Sequence, residues 1–218
     1  CMPRFPGFAV RIRRGFFWYY FEPNHAPGPF LKADVSDPCQ PVRFHEDGGW
    51  LVRFLWYGHR ISLEMFHALA DGAGALVFFR TLLAVYLRER GYSIPNGELG
   101  HAVPGAQGIL DVDEPPRREE REDAYARYAG PVARAPVLLR RAYSNIGEAE
   151  PFYTFHVTMG FLPLDQLLEI ARSHKVSLTE YLSAVLLWVL MEKQRREKPR
   201  RELPVSLAVP INLRPWFP

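Results

Sequence analysis

The spacing of apolar residues changes once in the first half of the chain, and this change constrains the fold more than any other feature. Residues 50–57 and 60–65 are rich in β-branched, aromatic and other apolar residues and are separated by only two residues, which is typical of a β-hairpin. From Ala73 to Arg90 the apolar residues recur every three or four positions, which predicts an amphipathic helix. The segment 66–72 is therefore predicted to be a turn that connects a strand to a helix.

The rest of the chain also mixes strand-like and helical patterns. Strands are predicted at Ala9–Phe21 (two strands joined at Gly15), Phe152–Gly160 and Pro204–Asn212. Helices are predicted at Ala133–Arg141, at Leu164–His174 and, after the capping-box pattern Ser177–Glu180, as far as about Gln194. The proline-rich stretch 22–40 is predicted to be a loop, and 95–130 a long, loop-rich crossover. This mixture predicts an α/β fold with a mixed β-sheet flanked by helices.

Charge and cysteine content exclude several classes of function. Lys and Arg number 27 against 24 Asp and Glu, and this net charge of +3 is too weak and too scattered to predict nucleic-acid binding. Two cysteines cannot form a disulfide framework, and no Cys/His spacing predicts a metal site. No signal peptide is found, and the longest apolar run, 181–191, is too short to span a bilayer and predicts a buried helix. A cytoplasmic location is the simplest expectation. We expect the aromatic residues mainly in the core and partly on a surface that binds a partner. For Trp18, Tyr19 and Tyr20 we favour core packing over a position lining the acceptor side of a site.

The predicted strand-to-helix turn carries the pattern H-x-x-x-D-G, formed by His67, Asp71 and Gly72. A histidine side chain at such a turn is rigidly positioned and accessible, and its ordinary pKa of about 6.5 suits proton transfer at neutral pH. Spacing alone is equally compatible with an aspartate that caps the following helix beside an incidental histidine. Glu64, in the strand before the turn, either orients His67 or faces solvent.

Ile61–Leu87, which contains this pattern, resembles the active-site segment of the CoA-dependent acyltransferase superfamily. The superfamily includes chloramphenicol acetyltransferase, plant acyltransferases of the BAHD group, peptide-synthetase condensation domains and bacterial alcohol acetyltransferase-like proteins, and its pattern is H-H-x-x-x-D-G. Phe161–Gln194 resembles a helix pair of that superfamily, and Val209–Pro215 resembles the following strand, which ends with a buried arginine. The three segments occur in the order that the superfamily has.

The resemblance implies a role for each residue of the motif. His67 would be the general base, which removes a proton from an alcohol or amine acceptor as that acceptor attacks the thioester of acyl-CoA. Asp71 would point away from the substrate and form a structural salt bridge with Arg214, and Gly72 would allow close packing. Phe66 stands where the superfamily has its first histidine, which favours the alcohol acetyltransferase-like members over condensation domains. Acyl-CoA would be a co-substrate, and neither a bound cofactor nor a metal is implied.

The resemblance also implies an architecture, a chloramphenicol acetyltransferase-like half-domain. With the motif at residues 67–72, the chain 1–218 is expected to be the N-terminal domain, a fragment, of a two-domain acyltransferase. The oxyanion donor would lie in the missing C-terminal half, so the fragment alone would be inactive. His156, in a predicted strand, is a candidate for the channel between the halves. An oligomer, a condensation enzyme that uses a carrier protein, and a catalytically silent binding protein of the same fold remain as alternatives.

Overall fold

The computed structural model describes residues 1–43, 45–95, 108–118, 120, 141–145, 147–148, 150–151, 154–197 and 201–211. The chain divides into two compact units, one formed by Cys1–Pro131 together with Asn212–Pro218 and the other by Val132–Ile211. Among the described residues, the first unit contains five strands and one α-helix, and the second contains two α-helices. The described residues therefore form a mixed α/β structure, as the sequence predicts.

A two-stranded antiparallel sheet begins the first unit. It pairs β1 (Val10–Arg14) with β2 (Tyr19–Pro23), so the prediction of two strands joined at Gly15 is confirmed. The Gly15 N–H donates to the carbonyl oxygen of Trp18 over 2.7 Å. A Cβ atom at Gly15 would lie 3.0 Å from that same oxygen, so the tight turn favours glycine.

A three-stranded sheet contains the predicted hairpin. Its order is β3–β4–β5, where β3 (Leu31–Ala33) runs parallel to β4 (Val52–Tyr57), and β4 pairs antiparallel with β5 (Arg60–Met65). The register places Val52 opposite Met65 and Phe54 opposite Leu63 on one face, and Arg53 opposite Glu64 on the other. Side chains alternate between the two faces of a strand, so the hairpin has one apolar face and one largely polar face.

Helix α1 (Gly72–Glu89) supplies the centre of the core of this unit. Phe78, with no exposed surface, stacks on Phe8 with ring centroids 4.3 Å apart. Trp50 and Val52 complete the buried cluster, around which the apolar side chains of β4 and β5 pack. The helix is confirmed, but the face it buries consists of Phe78, Thr81 and Ala84, whereas Leu76 and Tyr86 of the apolar stripe predicted from the sequence are exposed.

The segment 108–120 adds long-range contacts to the same unit. The Leu110 N–H donates to the hydroxyl of Thr81, a fully buried residue of α1, over 3.1 Å. The guanidinium of Arg4, only 4% exposed, donates to both carboxylate oxygens of Glu120 over 2.5 and 2.9 Å. Such a bidentate contact fixes geometry as well as contributing electrostatic attraction. These contacts tie the segment to the amino-terminal residues and to α1.

The second unit contains α2 (Leu164–Ser173) and α3 (Leu178–Arg196). The predicted capping box is confirmed, because the Ser177 hydroxyl accepts from the Glu180 N–H and the Glu180 carboxylate accepts from the Ser177 N–H over 2.7 Å. The backbone N–H of Ser177 holds the pKa of Glu180 below its ordinary value. The buried amide of Gln194 exchanges two hydrogen bonds with the backbone of Leu203, which fixes the following segment against α3.

The structure corrects several predictions about elements. The stretch 22–40 is not entirely loop, because it contains β3. Residues 154–160 and 204–211 form no strand, although their apolar residues suit one. The run 181–191 is helical but largely exposed rather than buried. The predicted helix 133–141 lies outside the described residues except for its last residue, as does most of the predicted crossover, of which 108–118 contains neither helix nor strand.

The predicted core position of the first aromatic cluster is also wrong. Trp18, Tyr19 and Tyr20 are all exposed, and so are the two phenylalanines that precede them. Among the residues that the structure describes, no helix is both long enough and apolar enough to cross a membrane.

Candidate active site

Backbone hydrogen bonds on both sides of His67 hold the turn between β5 and α1 in place. The Phe66 N–H donates to the carbonyl oxygen of Leu51 over 2.8 Å, which extends the pairing of the hairpin by one residue. The Leu69 N–H then donates to the carbonyl oxygen of Phe66 over 3.0 Å and closes the turn around His67. The turn is thus fixed to the sheet before the helix begins, which is the rigidity expected of a site built on an element end.

The His67 side chain is exposed at this turn, whereas Phe66 and Leu69 on either side are partly buried. Leu69 packs against the core cluster, so the apolar side chains of the turn anchor it and the imidazole remains accessible. An imidazole in this position can exchange a proton with a solute that reaches the turn.

Asp71 is the N-cap residue of α1. Its carboxylate oxygen Oδ1 accepts from the Gly74 N–H over 2.9 Å, and its backbone is extended, as an N-cap requires. The capping interpretation of the motif is therefore correct for Asp71. It does not exclude the implied salt bridge, because a carboxylate can accept several hydrogen bonds. Arg214 lies outside the described residues, so the salt bridge stays a prediction.

Gly72 is the first residue of α1, and no described residue crowds it. A Cβ atom built at Gly72 would meet no other atom within 4 Å, and its backbone is not in the left-handed region. The close packing that the resemblance implies at Gly72 therefore stays a prediction.

Glu64 neither orients His67 nor faces solvent. Its oxygen Oε2 lies 2.9 Å from Nη2 of Arg53, directly opposite on β4, and Oε1 accepts from the Cys39 N–H over 2.7 Å. Both charged side chains are mostly buried. This pair was missed from the sequence, although a two-residue hairpin turn fixes the register and so places residue 53 opposite residue 64.

The remaining sequence candidates do not extend the site. His156 is exposed in a segment of the second unit that forms no strand, so the expectation based on a strand is not supported. In the described part of the chain, no three His, Cys, Asp or Glu side chains converge as ligands for a metal ion would.

No protein-family model, curated protein or solved structure matches the chain. The case for a function therefore depends on the residues of the turn and on their similarity to the acyltransferase motif.

Proposed function

We propose that the protein is an acyltransferase that moves an acyl group from acyl-CoA to an alcohol or an amine, with His67 as general base. The chain would be the N-terminal domain of a two-domain enzyme with a chloramphenicol acetyltransferase-like half-domain. The exposure of His67 on a turn fixed by the Phe66–Leu51 hydrogen bond is the observation that supports this proposal most directly.

In the proposed reaction the histidine has one task, which is to accept a proton. The neutral imidazole accepts the proton of the acceptor hydroxyl or amine as the heteroatom attacks the thioester carbonyl, and the CoA thiolate leaves after the tetrahedral intermediate collapses. General-base assistance of this kind is worth about 10²–10⁴-fold in rate. Asp71 would act indirectly, because it caps the helix that follows the histidine and so keeps the turn in place.

A second contribution has to come from elsewhere in the protein. Donors that stabilise the oxyanion are worth about 10²–10³-fold each. We assign them, together with most of the CoA site, to parts of the protein outside the described residues. The proposal accordingly predicts that residues 1–218 alone release no thiol from acyl-CoA.

The test is thiol release from acetyl-CoA and longer acyl-CoAs, with a panel of alcohols and amines, by the natural protein that contains this chain. His67→Gln is the informative variant, because glutamine is similar in size to histidine and cannot serve as a general base. His59→Gln is the matched control, since His59 is also exposed but lies at the opposite end of β5.

We expect His67→Gln to lower kcat by about 10² or more and His59→Gln to leave it unchanged. Equal turnover by the parent and His67→Gln would refute the assignment of the general base. Release only from an acyl group loaded on a carrier protein would identify the condensation alternative, and no release from any donor would favour a catalytically silent protein.

A further inference from the structure

A cluster of exposed aromatic side chains lies at the tip of the β1–β2 hairpin. Phe16 is 89% exposed and Phe17 84% exposed at the tip, and Trp18 and Tyr19 are each 64% exposed beside them. Contiguous exposed apolar surface of this kind usually marks a site of interaction, whereas single exposed apolar residues do not.

The tip residues contact one another. The rings of Phe16 and Phe17 meet edge to face with centroids 4.7 Å apart, and Trp18 follows at 6.4 Å from Phe17. The tight turn closed by the Gly15–Trp18 hydrogen bond presents the three side chains together. Within the described residues, β1 and β2 pair only with each other, so the aromatic cluster lies at the end of a two-stranded ribbon.

Positive charge accompanies the aromatic tip. The hairpin 10–23 contains three arginines and one glutamate, a net charge of +2. Glu22 is shared by Arg11 and Arg13, at 2.6 and 2.7 Å. Arg14, the last residue of β1, is exposed and forms no ion pair with any described residue. The excess positive charge therefore lies immediately beside the aromatic rings.

We propose that this hairpin docks on the surface of an anionic phospholipid bilayer. Aromatic rings favour the boundary between acyl chains and headgroups, and arginines are attracted to anionic headgroups. A bilayer also accommodates a protruding tip without a complementary groove, whereas a protein partner would have to supply one. The inference is independent of the proposed acyltransferase activity, because no residue of the turn around His67 enters it.

The first experiment is co-sedimentation of the natural protein that contains this chain with vesicles of phosphatidylcholine, with and without phosphatidylserine. The variant Phe16→Ser/Phe17→Ser should lower the partition coefficient at least about tenfold, since each ring contributes burial of apolar surface. Met159→Ser/Phe161→Ser is the matched control, because it removes two side chains of similar exposure from the second unit. It should bind as the parent protein does, and circular dichroism should show that both variants are folded.

Two further variants test separately whether Trp18 enters the bilayer and whether Arg14 is attracted to anionic headgroups. Brominated phospholipids should quench the fluorescence of Trp18, and the quenching should largely disappear in Trp18→Phe while vesicle binding persists. Arg14→Gln should weaken binding to vesicles that contain phosphatidylserine and leave the weaker binding to pure phosphatidylcholine unchanged.

Three results would overturn the proposal. One is equal partition of the parent and Phe16→Ser/Phe17→Ser, and another is an equal loss in the matched control, which would indicate general stickiness. The third is self-association, or binding to another protein, that Phe16→Ser/Phe17→Ser abolishes while the parent binds no vesicle; the hairpin would then be a protein interface.

Discussion

Two substitutions at Asp71 separate its helix cap from its charge. The carboxylate accepts from the Gly74 N–H at the first turn of α1, and asparagine can accept the same hydrogen bond whereas alanine cannot. Both substitutions remove the negative charge, so any salt bridge and any interaction with the helix dipole are lost equally. The difference in stability between Asp71→Asn and Asp71→Ala therefore isolates the cap, at about 1 kcal/mol. For a domain of this size that is about 2–4 °C in Tm.

The measurement is urea unfolding of the parent and both variants, followed by circular dichroism and fluorescence. Asp71→Ala should unfold at a lower midpoint than Asp71→Asn, with the same dependence on urea concentration. Equal midpoints for the two variants would refute the capping argument. The remaining gap between the parent and Asp71→Asn reports the charge, and its disappearance in an Arg214→Gln background would be evidence for the ion pair that the resemblance implies.

Two other substitutions test the core of the first unit and its partly buried Arg4–Glu120 ion pair. Phe78→Ala should destabilise the protein by about 3–5 kcal/mol, because it removes a fully buried ring stacked on Phe8, and a loss below about 1 kcal/mol in urea unfolding would contradict the core assignment. Arg4 donates hydrogen bonds to Glu120 and so holds the pKa of that carboxyl below its ordinary value of about 4.3. The pair therefore stabilises the folded state fully above the ordinary pKa, and this stabilisation is lost as pH falls through the lower pKa of the folded state. Glu120→Gln should therefore cost on the order of 1 kcal/mol at pH 7, and its difference from the parent should shrink in acid; a difference independent of pH would contradict the assignment.

The elements around the candidate site were predictable because local signals specify them. A two-residue turn fixes the register of β4 and β5, and the change from alternating to helical spacing marks the start of α1 within one residue. The capping box at Ser177 likewise fixes the start of α3, since both of its hydrogen bonds join residues three positions apart. Each of these features depends on neighbours along the chain.

The features that could not be predicted involve contacts between residues that are distant in sequence. The parallel pairing of β3 with β4 could not be inferred from a three-residue strand, and the Arg4–Glu120 pair joins residues 116 positions apart. The exposure of Trp18 was missed because an aromatic strand pattern does not show whether another layer covers it. Residues 154–160 and 204–211 have strand-like composition but lack the ladder hydrogen bonds that define a strand.

The candidate site depends both on local sequence patterns and on groups that are distant in sequence. The position of His67 follows from local features, namely the end of β5, the Phe66–Leu51 hydrogen bond and the cap at Asp71. The proposed acyl transfer would also depend on groups that are distant in sequence, because it needs oxyanion donors and a bound thioester. Local sequence therefore carries enough information to position the proposed general base and too little to define its substrate. For this reason the decisive comparison is between His67→Gln and His59→Gln. Both histidines are exposed, but only His67 lies in the turn that forms the candidate site.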